Sequence, residues 1–192
     1  MLTVTKVYKI RNKCLFPKFP VSFTCNAGEH IWVSGLNGTG KTTLLEILAG
    51  HLSHEGFCSH YDSMLISSSH QSNTLWTLNE CVSMFKYLFN SSLGTNEVIE
   101  MVGLSSCKNN KLSNLSKGQF QRLNLSQLLL SNKKIWLLDE PNLGLDIYGI
   151  DILKKCIKRH LKSGGAVIEA NTSWCYDWTA SQKVFTQKYN SS

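Results

Sequence analysis

His30-Ile31-Trp32-Val33-Ser34 runs directly into Gly35-Leu36-Asn37-Gly38-Thr39-Gly40-Lys41-Thr42-Thr43, and Leu44-Leu45-Glu46-Ile47-Leu48-Ala49-Gly50 follows. This stretch decides the fold class. The first five residues read as a buried strand, and the spacing of Leu44, Leu45, Ile47 and Leu48 predicts a helix that Gly50 stops. Between them, residues 35–43 fit G-x-x-x-x-G-K-T in the context the pattern requires, after a strand and opening a helix. The glycines let the backbone curl so that its N–H groups and the helix N-terminus surround the β and γ phosphates of a nucleotide. Lys41 adds a point charge and Thr42 a hydroxyl for Mg2+. An ordinary glycine-rich turn is the bland alternative, and the strand before it and helix after it argue against that.

Further along, Ile135-Trp136-Leu137-Leu138 ends in Asp139-Glu140. A buried strand there delivers two acids at its carboxyl end, the edge where open α/β sheets bind ligands. Asp139 suits the Mg2+ shell, and Glu140 is placed to polarise an attacking water. Short strands are expected at residues 4–8, 21–25, 56–58, 64–67 and 166–170, and helices at 78–89, 97–102, 117–130 and 147–161. Residues 71–77 and 105–114 read as polar connections, and the tail after Tyr189 as frayed. Strands alternating with helices on this scale imply a wound, mainly parallel sheet in one domain over residues 1–192, with a helical lobe at about 72–130.

Composition removes several function classes. The chain is 42% hydrophobic, yet it has no apolar run of the roughly 18–20 residues that would cross a bilayer, so any membrane role is expected to be peripheral. Seven cysteines form no Cys-x-x-Cys pair, which fits idle thiols in a reducing compartment. The six histidines show no metal-ligand spacing, so any metal should arrive with a nucleotide. The net charge of +7 is not concentrated. Lys154, Lys155, Lys158, Arg159 and Lys162 share one helix without interleaved aromatics, a solvated face, and nucleic acid is not expected as a partner. Residues 1–10 alternate like a strand and carry no signal-peptide core. Lysine outnumbers arginine 17 to 3, a bias that AT-rich coding DNA would give.

Leu115-Ser116-Lys117-Gly118-Gln119, at a helix start ahead of the Asp139-Glu140 strand, resembles the signature of the ATP-binding cassette (ABC) ATPases. The resemblance implies an α/β P-loop NTPase fold of the ABC type, a wound mainly parallel sheet with a small helical lobe and an antiparallel N-terminal part. It also implies ATP and Mg2+ as cofactors, held by residues 35–43 together with Ser116, Gly118 and Gln119 of a second copy in a nucleotide-sandwich dimer. Gln71 matches the Q-loop, with a catalytic and Mg2+-contacting role beside Glu140, Thr42 and Asp139, and Leu145-Asp146 matches the D-loop. Two departures stand out. Thr172 occupies the place of the family's switch histidine, and the adenine-stacking aromatic is open between Tyr8 and Phe16, each of which reads better as a core residue.

Ser22-Phe23-Thr24-Cys25-Asn26-Ala27-Gly28-Glu29, His70-Gln71, Leu75-Trp76-Thr77-Leu78-Asn79-Glu80 and Ser163-Gly164-Gly165-Ala166-Val167-Ile168 look like the haem-exporter ATPases of cytochrome c maturation. That resemblance implies ATP hydrolysis coupled to integral membrane subunits that export or release haem. An ATP-binding regulatory module with weak turnover is the alternative. The expected place is peripheral, on the matrix face of the mitochondrial inner membrane in an organelle-encoded protein, or on the cytoplasmic face of a bacterial inner membrane.

Overall fold

A computed structural model describes residues 1–11, 14–59, 62–67, 75–172 and 180–186. The chain divides into two compact units, Met1–Ser67 with Lys133–Pro141 and Arg159–Ser192, and Ser68–Asn132 with Asn142–Lys158.

The first unit carries two sheets. Strands β1 (Leu2–Arg11), β2 (Cys14–Cys25) and β4 (Glu55–Cys58) form an antiparallel sheet in the order β2-β1-β4. The second sheet is wholly parallel and runs β5-β6-β7-β3-β8, from β5 (Ser63–Ser67), β6 (Ile135–Asp139), β7 (Ala166–Asn171), β3 (His30–Ser34) and β8 (Gln182–Phe185). β6 and β7 are buried along their whole length, as interior strands of a parallel sheet covered on both faces must be.

Side chains alternate across that sheet with a period of two. One set, Ile31, Val33, Leu137, Ile168 and Ala170, packs with helix α1 (Lys41–Leu48) and the antiparallel sheet into a single core. Leu44, Leu45, Ile47 and Leu48 are α1's share, each worth about 1.5–3 kcal/mol on burial. His30, Trp32 and Ser34 therefore fall on the opposite face, with Glu169 and Asn171. The registers Ser34↔Asn171 and Asp139↔Ala170 bring the carboxyl ends of β3, β6 and β7 to one edge. The glycine loop leaves from that edge.

The second unit is helical: α2 (Leu78–Leu88), α3 (Thr95–Met101), α4 (Lys117–Leu130) and most of α5 (Ile147–Lys162). Leu78, Val82, Val98, Ile99 and Leu104 are buried in it. Thr77 opens α2 with a capping box, its Oγ1 accepting from Glu80 N while Glu80 accepts from Thr77 N. The Thr77 N–H, and after it the Thr77 hydroxyl, which donates to Glu80 Oε2 at 2.9 Å, hold the exposed Glu80 carboxyl below its ordinary range.

Three features differ from the sequence expectation. The first two strands extend well beyond residues 4–8 and 21–25, since each completes the other's hydrogen bonds through most of its length. The polar stretch 105–114 is not bare connection, because it holds two short 3-10 turns, Ser105–Cys107 and Leu112–Asn114. β8 is an additional strand. Only Val184 of its four residues is buried, and so short and polar an edge strand leaves no pattern to read. Among the described cysteines, Cys25, Cys58, Cys81 and Cys107 are free thiols and, like Cys156, are buried, and burial pushes the Cys25 thiol up to about 12.

Candidate nucleotide site

The glycine loop is shaped by its backbone. Gly38 and Gly40 take φ values of 75° and 95°, the left-handed region that costs a residue with a Cβ about 1–2 kcal/mol. Gly35 has a different reason to be glycine: a Cβ there would lie 2.6 Å from Thr39 Oγ1 and closer still to Thr186 Oγ1. Thr39 Oγ1 donates to Leu36 O at 2.8 Å and meets Thr186 Oγ1 at 2.6 Å. The Thr186 hydroxyl therefore donates to Thr39 Oγ1, and the Thr186 backbone N–H donates to Ser34 O at 3.0 Å. The loop base is thereby tied to the residue just past β8.

Lys41 is buried, and its Nζ donates to Gly35 O at 2.9 Å and Leu36 O at 3.3 Å. The ammonium thus sits inside the curl of the loop, where it can transfer its donors to phosphate oxygens. Leu36, Asn37 and Gly38 form the exposed tip, while Gly40 lies against the backbone of Phe16 and Pro17.

At the neighbouring strand end, Thr42 Oγ1 donates to Asp139 Oδ2 at 2.7 Å. Burial pushes the Asp139 carboxyl above its usual range, with the Thr42 hydrogen bond opposing and the Glu140 charge adding to the rise. A hydroxyl and a carboxylate this close form an all-oxygen donor pair, the chemistry Mg2+ selects. Thr42 and Asp139 therefore fit that ion, which would screen the phosphates' charge and relieve the desolvated carboxylate.

Glu140 leaves the strand with φ 49°, a left-handed conformation rare for a side chain with a Cβ. Its N–H donates to Ala170 O at 2.8 Å, and its carboxylate accepts from Thr172 Oγ1 at 3.4 Å. Thr172, the residue in the switch position, is thus brought to Glu140.

In the helical unit, Ser116 and Gln119 close a capping box at the start of α4: Gln119 N donates to Ser116 Oγ at 3.2 Å and Ser116 N to Gln119 Oε1 at 2.9 Å. The cap uses Ser116 Oγ as an acceptor, which leaves its proton to donate elsewhere. A Cβ on Gly118 would press to 3.2 Å from Gly144 O, while the Lys117 stem packs over Gly144. Ser116, Gly118 and Gln119 therefore present exposed or half-exposed donors at a helix N-terminus, a site suited to anions. Gln71 lies outside the described residues.

The ABC transporter family pattern matches residues 19–143. The chain belongs to the ABC transporter family. This ABC ATPase is 34% identical over 185 residues to the cytochrome c biogenesis ATP-binding export protein CcmA of Reclinomonas americana, covering 87% of this chain and 82% of the relative. It is 32% identical over 161 residues to the protein of the same name from Escherichia coli K12, covering 77% and 78%. Its fold superposes with a TM-score of 0.81 on an ATP-binding protein of Pyrococcus furiosus assigned to an ABC transporter, at 22% identity and 99% coverage of both chains. The ABC-type α/β fold expected from the sequence is borne out. Thr186 was not legible as part of the loop in this ABC ATPase; its only signal is a hydroxyl two residues past an apolar Val184.

Proposed function

We propose that this chain is the ATP-binding and ATP-hydrolysing subunit of a membrane ABC complex serving cytochrome c biogenesis, with haem export or release as the coupled task. The observation that carries the mechanism is the cluster at the sheet edge, Lys41 inside the loop, Thr42 on Asp139, and Glu140 turned out of its strand. The loop amides of residues 35–43 and Lys41 bind the β and γ phosphates, and Thr42 and Asp139 hold Mg2+. Glu140 accepts a proton from the water that attacks the γ phosphorus. When bound, Mg2+ draws charge from the phosphate oxygens. The closeness of the Phe16 backbone to Gly40 supports Phe16 over Tyr8 as the aromatic beside the adenine.

The reading extends to a second copy, whose Ser116 hydroxyl and α4 N-terminus complete the γ-phosphate site, making residues 1–192 one cassette with its helical lobe at about 72–130. Gln71, matched to the Q-loop by sequence alone, is assigned a contact with Mg2+ or the attacking water, and the helical lobe is assigned as the docking surface for integral membrane subunits. The relatives named for cytochrome c biogenesis support this assignment. No helix among the described residues is long and apolar enough to cross a membrane, which is consistent with peripheral attachment through those subunits. Lysine bias supports an organelle-encoded protein on the mitochondrial matrix face, and cell fractionation separates this from a bacterial inner membrane.

The test is phosphate release from the chain assembled with its membrane subunits. Lys41→Ala should abolish ATP binding, and Glu140→Gln should stop turnover while trapping an ATP-bound dimer. Parent-like hydrolysis by Glu140→Gln would overturn the mechanism. One observation favours the regulatory alternative: Thr172 stands where an imidazole is expected. A large gain in turnover in Thr172→His would favour it.

A further inference from the structure

The half of the parallel sheet that faces away from α1 contains a buried polar run. His30 Nε2 lies 3.1 Å from Glu169 Oε2, and the two side chains are 2% and 0% exposed. Asn171 Nδ2 donates to Glu169 Oε1 at 3.3 Å, and Asn171 Oδ1 accepts from Thr172 N at 3.0 Å. Thr172 Oγ1 then donates to Glu140 Oε1. The orientation of the Asn171 amide is fixed from both sides, since only its oxygen can meet the Thr172 N–H while its NH2 meets the carboxylate.

A buried ionisable pair is a poor device for stability, because desolvation offsets much of its attraction and apolar replacements are often neutral or stabilising. Its use here has to be sought in what it orients. Glu140 sits in a strained left-handed conformation, which persists only where the surroundings hold it. Two of the groups that hold it, Ala170 O and Thr172 Oγ1, come from the end of β7. Asn171 lies between them.

We propose that His30, Glu169 and Asn171 form an internal brace that positions Glu140 through Thr172, so that residues in the middle of the sheet set the aim of the hydrolytic carboxylate. These are positioning residues, because the role assigned to them is exerted through Thr172 on Glu140. The inference rests on Glu140 being the hydrolytic group proposed above.

The test uses the full chain with its membrane subunits and measures kcat, KM for ATP, nucleotide affinity and thermal stability. The double substitution His30→Leu/Glu169→Leu replaces the buried pair by apolar side chains of similar size. It is expected to melt at or above the parent temperature and to keep KM within twofold, while kcat falls about fivefold, the equivalent of about 1 kcal/mol lost from one hydrogen bond. Thr172→Val, at an exposed position, should lower kcat by a similar factor. Combining it with the double substitution should add little, because both break one chain of contacts. Glu169→Gln, which still accepts from Asn171, should recover most of kcat.

If the double variant folds and turns over like the parent while Glu140→Gln is inactive, the brace is refuted and the hydrolytic role of Glu140 stands. Parent-like turnover by Glu140→Gln would remove both. Should the double variant fail to fold, Thr172→Val and Glu169→Gln decide alone: a fivefold loss in the first with retention in the second supports the brace, and parent-like kcat in Thr172→Val overturns it.

Discussion

Replacing Gly35 by alanine tests whether the glycine loop is shaped by crowding or by backbone conformation. Gly35 lacks the positive φ of Gly38 and Gly40, so alanine meets no conformational barrier there. Space is the constraint. The new methyl would lie 2.6 Å from Thr39 Oγ1 and nearer to Thr186 Oγ1, closer than Cβ contacts occur. One hydroxyl must move, and the 2.6 Å bond between them is lost. Overpacking of about 1–3 kcal/mol and a hydrogen bond of about 1 kcal/mol give a destabilisation of about 2–4 kcal/mol. For a chain of this size that lowers the melting temperature by about 4–16 °C.

Gly38→Ala is the control, since nothing lies within 4 Å of the added methyl and only φ is unfavourable, costing about 1–2 kcal/mol. Thr186→Ala introduced on Gly35→Ala should recover part of the loss by removing the nearest atom. Urea and thermal denaturation measure the stabilities, and titration with a fluorescent ATP analogue follows the loop's grip on nucleotide. If the second substitution recovers nothing, crowding is not the reason for this glycine.

Three further outcomes are expected. Ser116→Ala should cost about 1 kcal/mol by removing the α4 cap, whereas Ser116→Asp keeps the cap and melts near the parent temperature. Both should stop ATP turnover, because neither offers a hydroxyl proton and the aspartate repels phosphate; full phosphate release by either would count against the trans site. Thr42→Val should weaken Mg-ATP more than ATP alone, and Thr42→Ser should restore the difference in binding titrations.

His160 provides a pH test. Burial lowers its pKa below 6.5, against hydrogen bonds to the backbone of Lys134 and Ala166, while its ring stacks on Trp136 at 3.8 Å. The neutral ring is the one the fold prefers. Its contribution is therefore complete above 6.5 and is lost as pH falls through 6.5 toward the lower folded value. Melting curves from pH 8 to 5.5 should show a smaller acid loss in His160→Phe than in the parent.

The sequence announced those parts of the site that backbone chemistry dictates. Gly38, Gly40, Lys41 and Thr42 follow one another because a loop must curl, a charge must enter it and a helix must start, so their order is visible without a structure. Asp139 and Glu140 were visible for the same reason, as acids abruptly ending an apolar strand. Thr172 was readable only as a departure, and its contact with Glu140 depends on where β7 ends beside β6. Thr186 and the Glu169–His30 pair could not be read at all. Each depends on pairing between strands more than a hundred residues apart, and a lone Glu in an apolar run carries no sign of the histidine it will meet.

The tie between Thr39 and Thr186 also sets a timetable. The two hydroxyls are 147 positions apart in the chain. A ribosome that has finished the glycine loop and α1 has made most of the phosphate-binding text, but the loop's inner support is still untranslated. Nucleotide can be gripped in the final geometry only after β8 has emerged and joined the edge of the sheet beside β3. Late closure of so distant a contact is a slow, topology-limited step. Until β8 pairs with β3, Thr39 lacks its partner and the loop lacks that inner support.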